Sequence, residues 1–308
     1  MITRRNLGVA ASLLAAGAVF LTACSSNNSP LDSGSGSASP SDTVTVGTAN
    51  FAESEILGYI YADALQDNEI KVSVKPAIGA RDTYIAALKD NSINLVPEYT
   101  GNLLQYFDAK STAQTPDEVY AALQKATPEG LTVLDKAPAE DADSLNVTKS
   151  FSDEHKVTSL DQLAGLNIPI KVGAPPEFAT RPYGIPGLKD KYGVTAILVP
   201  INDGGGPSTV RALVDGQVQL ADIFSTSPSI KQNNLVTLAD PKHMILAQNV
   251  VPLISKSKAT DKVTQVLDKV SANLTTEDLI AMNTSSSVDK QSAQTIARNW
   301  LDQKKLFK

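Results

Sequence analysis

From Thr43 to Asp108 the chain alternates short β-branched runs with amphipathic ones, and that alternation constrains the fold more than any other feature. "TVTVGTANF" reads as a strand rich in valine and threonine. Leu57, Ile60, Tyr61, Ala64 and Leu65 then recur at the spacing that gives a helix one apolar face. Asn50, three residues before Glu53, is placed to form a capping box for that helix. "IKVSVKPAI" is a second strand and "RDTYIAALKDN" a second helix, with Ile85 and Leu88 inward. "SINLVPEY" and "TGNLLQYFD" repeat the pairing. Strands alternating with helices predict a parallel sheet wrapped by helices.

A long polar passage follows, and the pattern then restarts. "SLDQLAG" is a short helix capped by Ser159, "IPIKVG" and "TAILVPI" are strands, and "PSTVRALVDG" is a helix that opens on proline. "QLADIFST", "NLVTLAD" and "MILAQNVVPLI" read as three more strands. Beyond Ala259 the chain is mostly helical. Two α/β lobes are therefore expected, the first from 43–146 with 251–308 and the second from 147–250. The crossings fall near Val147 and Val250.

Ligands of open parallel sheets bind beyond the carboxyl ends of the strands. Asn50 with Phe51, Arg81, Asp82, Tyr99, Thr100, Phe224 and Thr226 all fall at such ends. Loops from both lobes are expected to converge there on one cleft.

The N-terminus addresses the chain elsewhere than the cytoplasm. Arg4 and Arg5 precede an apolar run from Leu7 to Phe20 that is too short to span a bilayer, the pattern of a secretory leader over residues 1–23. Leu21-Thr22-Ala23-Cys24 resembles the bacterial lipobox, which makes Cys24 the expected site of lipidation. Cys24 is the sole cysteine of the 308 residues, so the mature chain keeps no thiol for disulfides, nucleophilic catalysis or zinc. Residues 24–42 read as a flexible tether; as a Gly/Ser-type coil, its last 18 residues reach roughly 20–25 Å. A net charge of −6 argues against nucleic acid as a partner.

Four stretches carry a family resemblance. "VGTANFAESEILGYIYADAL", "IGARDTYIAALKDNSINLVPEYTGNLL", "PEFATRPYGIPGLKDKYG" and "ALVDGQVQLADIFSTSPSI" stand in the order of the landmarks of glycine betaine/choline-type substrate-binding proteins of ABC importers. The similarity runs across nearly all of residues 44–303. It implies a two-lobe periplasmic-binding-protein-like α/β fold (type II), two mixed sheets flanked by helices, with a hinge and an interlobe cleft. It also implies a small osmoprotectant ligand, a permease with its ATPase as partner, no cofactor, a monomer, and a place on the extracytoplasmic face of the bacterial cell membrane.

In that family, tyrosines box a quaternary ammonium. The group has no N–H to donate, so the negative faces of rings hold it, at roughly 0.5–2 kcal/mol each. Carried over by position, Tyr99 matches a cage tyrosine, Arg181 a carboxylate clamp and Phe224 a recurrent aromatic. Asp143, with Asp141 beside it, and Gln248 stand where relatives carry further tyrosines, and Ala49 replaces a lysine. An acidic group can partner a cation in place of a ring.

Other chemistry finds little support. "NDGGGPST" lacks the lysine of a phosphate-binding loop and reads as a turn before a helix. His155 and His243 stand in polar loops without metal spacing, and no nucleophile motif is present. Glu140 and Asp141 read as a solvated acidic pair. The alternatives to a transport receptor are a different small ligand on the same scaffold, a sensor, or a surface enzyme with a nucleophile–base pair in the cleft.

Overall fold

Apolar runs separated by polar or glycine-bearing loops dictate the order of elements. The computed structural model describes residues 42–307; the leader, Cys24 and the tether as far as Ser41 lie outside them. β1 (Val44–Ala49), α1 (Ala52–Asp67), β2 (Val72–Gly79), α2 (Arg81–Lys89), β3 (Leu95–Tyr99) and α3 (Thr100–Phe107) follow the expected alternation. α4 (Pro116–Ala126) and β4 (Leu131–Val133) then occupy the passage read as polar connection. α4 had a legible start: Thr115 Oγ1 accepts from the Glu118 N–H, the Glu118 carboxylate accepts from the Thr115 N–H, and Pro116 opens the first turn.

Next come β5 (Leu145–Thr148), α5 (Lys149–His155), β6 (Ile170–Ala174), α6 (Ile185–Tyr192), β7 (Ala196–Pro200), α7 (Pro207–Val214), β8 (Leu220–Asp222), α8 (Pro228–Gln232) and β9 (Leu235–Thr237). β10 (Val250–Ser255), α9 (Asp261–Asn273), α10 (Thr276–Ser287) and α11 (Ala293–Lys304) complete the chain. The run "MILAQNVVPLI" is strand only from Val250. Its earlier part is irregular because the first turn of α3 engages it: Thr100 Oγ1 donates to the Ala247 carbonyl and Thr100 N–H to that of Asn249.

Two sheets result, ordered β2-β1-β3-β10-β4 and β7-β6-β8-β5-β9. β1 pairs in parallel with β2 and β3, and β6 with β7 and β8. The strand that arrives from the other lobe runs antiparallel in each sheet, β10 in the first and β5 in the second.

Each sheet is covered on both faces. Leu57 and Ile60 of α1, Leu267 of α9 and Trp300 of α11 pack on Val46 and Leu95, while Ile85, Leu103 and Leu123 cover the reverse side. In the second lobe Leu163 and Leu188 lie over Val172 and Leu220, with Val210 and Leu213 in a separate cluster with Ile223. Burial stabilises by roughly 1.5–3 kcal/mol per such side chain, so each lobe has a core of its own. The cleft between them can then be lined with groups no core would accept.

Gly101 of the EYTG element sits where the two lobes are joined. A Cβ there would lie 2.7 Å from the Ala247 carbonyl oxygen and 2.7 Å from Leu246 Cβ. Gly101→Ala should destabilise the protein by about 1–3 kcal/mol, as overpacked sites do. Urea unfolding followed by circular dichroism checks this, and an unchanged midpoint would count against the close packing.

Candidate functional site

The carboxyl ends of β1, β3, β6, β7 and β8 and the loops beyond them enclose a cavity of about 90 Å³ between the lobes. That volume holds several water-sized groups and so a small solute. The first lobe contributes Asn50, Phe51, Arg81, Tyr84, Tyr99 and Asn102; the second contributes Glu177, Phe178, Arg181, Tyr183, Asn202 and Phe224. Asp141 and Asp143, on the first crossing between lobes, and Asp222, at the end of β8, complete the polar wall.

Three rings form one corner. Phe51 lies 5.2 Å from Phe224 and 6.2 Å from Tyr99, centroid to centroid, with the planes tilted. Gly204 makes this corner possible: its φ of +60° suits glycine, and a Cβ there would lie 2.8 Å from Phe51 Cβ. The adjoining turn is built by Asp203, whose carboxylate accepts from the N–H groups of Gly206, Ser208 and Thr209 at the start of α7. "NDGGGPST" is thus a helix-starting turn that brings the second lobe against the first.

Both arginines of the wall are already engaged. Glu98 takes Arg81 with two contacts, Nε to Oε1 at 2.8 Å and Nη2 to Oε2 at 2.9 Å, and Tyr84 donates to the same carboxylate at 2.8 Å. Burial alone would lower the Arg81 pKa, but the Glu98 charge outweighs it and the guanidinium is held well above its ordinary value. Arg181 crosses the cleft to Asp82 at 2.7 Å and stacks over Tyr106, 5.2 Å from the centroid. Its Nε remains buried without a partner. Asn50 Nδ2 to Asn202 Oδ1 (3.3 Å) and Arg81 Nη1 to Tyr183 Oη (3.4 Å) also bridge the lobes.

The acids of the wall are buried: Asp141 is 5% exposed, Asp143 8% and Asp222 1%. Burial, reinforced by the charge of Asp143 and contact with its carboxylate, pushes the Asp222 pKa well above the ordinary carboxylate range. Burial also raises Asp143, opposed by hydrogen bonds from Asn102 and Asp222 and by the charge of Arg81. Asp141 is raised well above the range by burial and by Glu53. The pair expected to be solvated is therefore corrected at Asp141, which accepts from the Thr226 N–H and Ser225 Oγ inside the molecule.

Expected contacts divide into two layers. Asn50, Phe51, Arg81, Tyr99, Asp143, Arg181 and Phe224 line the cavity. Asp82 sits at its rim as the partner of Arg181. Thr100, Thr226 and Gln248 are buried behind the wall. Gln248 brackets Asn102, its Oε1 accepting from the Asn102 N–H and its Nε2 donating to Asn102 Oδ1. Asn102 in turn donates to Asp143.

Thr226 donates to Glu53, which also accepts from Tyr99 Oη at 2.7 Å. Glu53 therefore does not serve as the expected capping partner of Asn50. Phe51 is the residue preceding α1, and the Asn50 side chain reaches Asn202 instead. Sequence reading missed Tyr183, Glu177, Asn202 and Asp222 as cavity residues. Tyr183 lies two residues beyond Arg181 in a stretch already singled out, whereas Asp222 looked like an ordinary strand residue.

Two mixed sheets of this order, meeting over an enclosed polar and aromatic cavity, define a two-lobe solute-binding protein. The chain belongs to the family described as the substrate binding domain of the ABC-type glycine betaine transport system, which residues 42–303 match. The glycine betaine-binding protein YehZ of Escherichia coli K12 is 26% identical over 275 residues, 85% of this chain and 90% of that one. A structure described as a glycine betaine/carnitine/choline ABC transporter superposes with a TM-score of 0.67 at 18% identity, covering 86% of this chain and all of that one. Lactococcal OpuAC, closed on glycine betaine, gives 0.63 at 16% identity, over 87% of this chain and all of that one. Those two likenesses are of fold.

The raised aspartates make stability depend on pH. Between the ordinary aspartate pKa and the raised one, the folded chain holds a proton that the unfolded chain has lost. Stability contributed by Asp222 and Asp141 is thus greatest below about pH 4 and declines as pH rises toward their folded values. Asp222→Asn should flatten this slope, as read from urea midpoints between pH 4.5 and 8. A slope identical to wild type would contradict the assignment.

Proposed function

We propose that this chain is the lipid-anchored receptor of an ABC importer, and that it captures a small quaternary-ammonium solute, such as choline or glycine betaine, between its lobes. The observation that carries this reading is the corner of Phe51, Tyr99 and Phe224, set in a wall whose arginines are already neutralised. Ring faces attract a trimethylammonium group, which cannot donate hydrogen bonds, and nearby carboxylates add Coulomb attraction.

Closure follows from the connectivity. Opening the cleft breaks the contacts Arg181–Asp82, Asn50–Asn202 and Arg81–Tyr183 and leaves each lobe's core intact. A solute that touches both walls binds the closed form more tightly and so favours it. The closed receptor, acting as a monomer outside the cytoplasm, then delivers its cargo to the permease with its ATPase. No helix among the described residues is long and apolar enough to cross a membrane.

Calorimetry should show choline or glycine betaine binding one to one. Tyr99→Ala should weaken that binding about 2- to 30-fold, the range for one ring–cation contact. Tyr99→Phe, which keeps the ring, should cost much less. Equal affinity for wild type and Tyr99→Ala would remove the ring from the site. Separately, Cys24→Ser should shift the protein from the membrane to the soluble fraction of the host cell; an unchanged distribution would rule out the anchor.

A further inference from the structure

Asp143 and Asp222 pose a charge problem that the cleft does not solve with its own cations. Both carboxyls line the same cavity wall, each influences the other's titration, and both are more than nine-tenths buried. Asp143 is held by Asn102, while Asp222 Oδ1 is sealed from water and has no hydrogen-bond partner. Two carboxyls crowded at one buried site resist ionising together, so the pair retains a proton.

The surroundings offer no free countercharge. From α2, Arg81 faces Asp143 but is committed to Glu98. Beyond β6, Arg181 is committed to Asp82, and Glu177 adds a further acid to the wall. Asp141 faces Asp222 from the crossing segment, with Glu53 of α1 behind it. Tyr183 lies beside Asp143, and burial keeps this phenol and that of Tyr99 protonated. Any net positive charge brought to the pair must come from the ligand.

We propose that the Asp143–Asp222 pair is a charge-exchange site: a cationic headgroup entering the cavity displaces the proton the carboxyls share, so that a cation binds with proton release and a zwitterion does not. The carboxyl O–H bond of the pair breaks, the proton passes to solvent, and an ion pair between the ligand cation and the two carboxylates takes its place. A betaine carries its own carboxylate, which cancels most of the field that would expel the proton. The cleft thereby favours a cation without a carboxylate, increasingly so as pH rises. This inference rests on the quaternary-ammonium reading and adds charge selectivity to it.

The test is calorimetric titration of the purified protein with choline chloride and with glycine betaine, in phosphate and in ACES buffer, which differ in ionisation heat, between about pH 6 and 7.5. Choline binding should release about one proton, read from the difference in heat between the buffers. Its affinity should rise by up to about tenfold per pH unit. Glycine betaine should show little of either. Asp222→Asn should abolish proton release by choline. Should that variant fail to fold, Asp143→Asn tests the same pair, and the buffer comparison on wild type needs no variant. Choline binding with buffer-independent heat and a flat pH profile would overturn the proposal and leave the receptor reading intact, as would tighter binding of glycine betaine at every pH. If neither solute binds, the quaternary-ammonium reading fails and the proposal falls with it.

Discussion

The contact between Arg81 and Glu98 sets the charge of the whole cleft. Both side chains are nearly or fully removed from water, a cost of several kcal/mol per ion that mutual attraction offsets only with good geometry and further hydrogen bonds. Here the geometry is bidentate, and Tyr84 and the backbone N–H of Tyr99 complete the carboxylate's shell. Because Glu98 claims the arginine, the aspartates opposite have no cation of their own. Desolvation and mutual repulsion then raise their affinity for protons.

A second layer holds the first in place. Glu53, buried at the start of α1, ties Tyr99, Thr226 and Asn283 to one carboxylate. Gln248 and Thr100 do the same where the chain returns to the first lobe, fixing Asn102 and through it Asp143. The contacts across the cleft include one ion pair, an amide pair, a long arginine–tyrosine bond, the Thr226–Glu53 hydrogen bond and the Phe51–Phe224 ring contact.

Much of this was legible before any coordinates. The 3.6-residue spacing in α1 and the valine-rich run of β1 predicted their faces, and the EYTG stretch marked a strand end that lines the cavity. The failures have physical causes. Asp141 looked solvated because its neighbours are polar, yet a crossing segment between two lobes is buried by both of them. Asn50 and Glu53 satisfied a local capping rule, but Glu53 has stronger partners in Tyr99, Thr226 and Asn283. α4 was overlooked although its capping box and proline were both in view.

The order of strands and helices, the alternate burial of their side chains and the position of the turn glycines follow from local pattern alone, because each depends on residues a few positions apart. Which charges meet depends on distant ones. Arg81 and Glu98 are 17 residues apart, Asp82 and Arg181 99, and Thr226 and Glu53 173. No periodicity encodes such pairings. Only the meeting of the two lobes, with strand ends from both lining one cavity, decided that the arginines of the wall pair with Glu98 and Asp82 while Asp143 and Asp222 lie buried without a cation of their own.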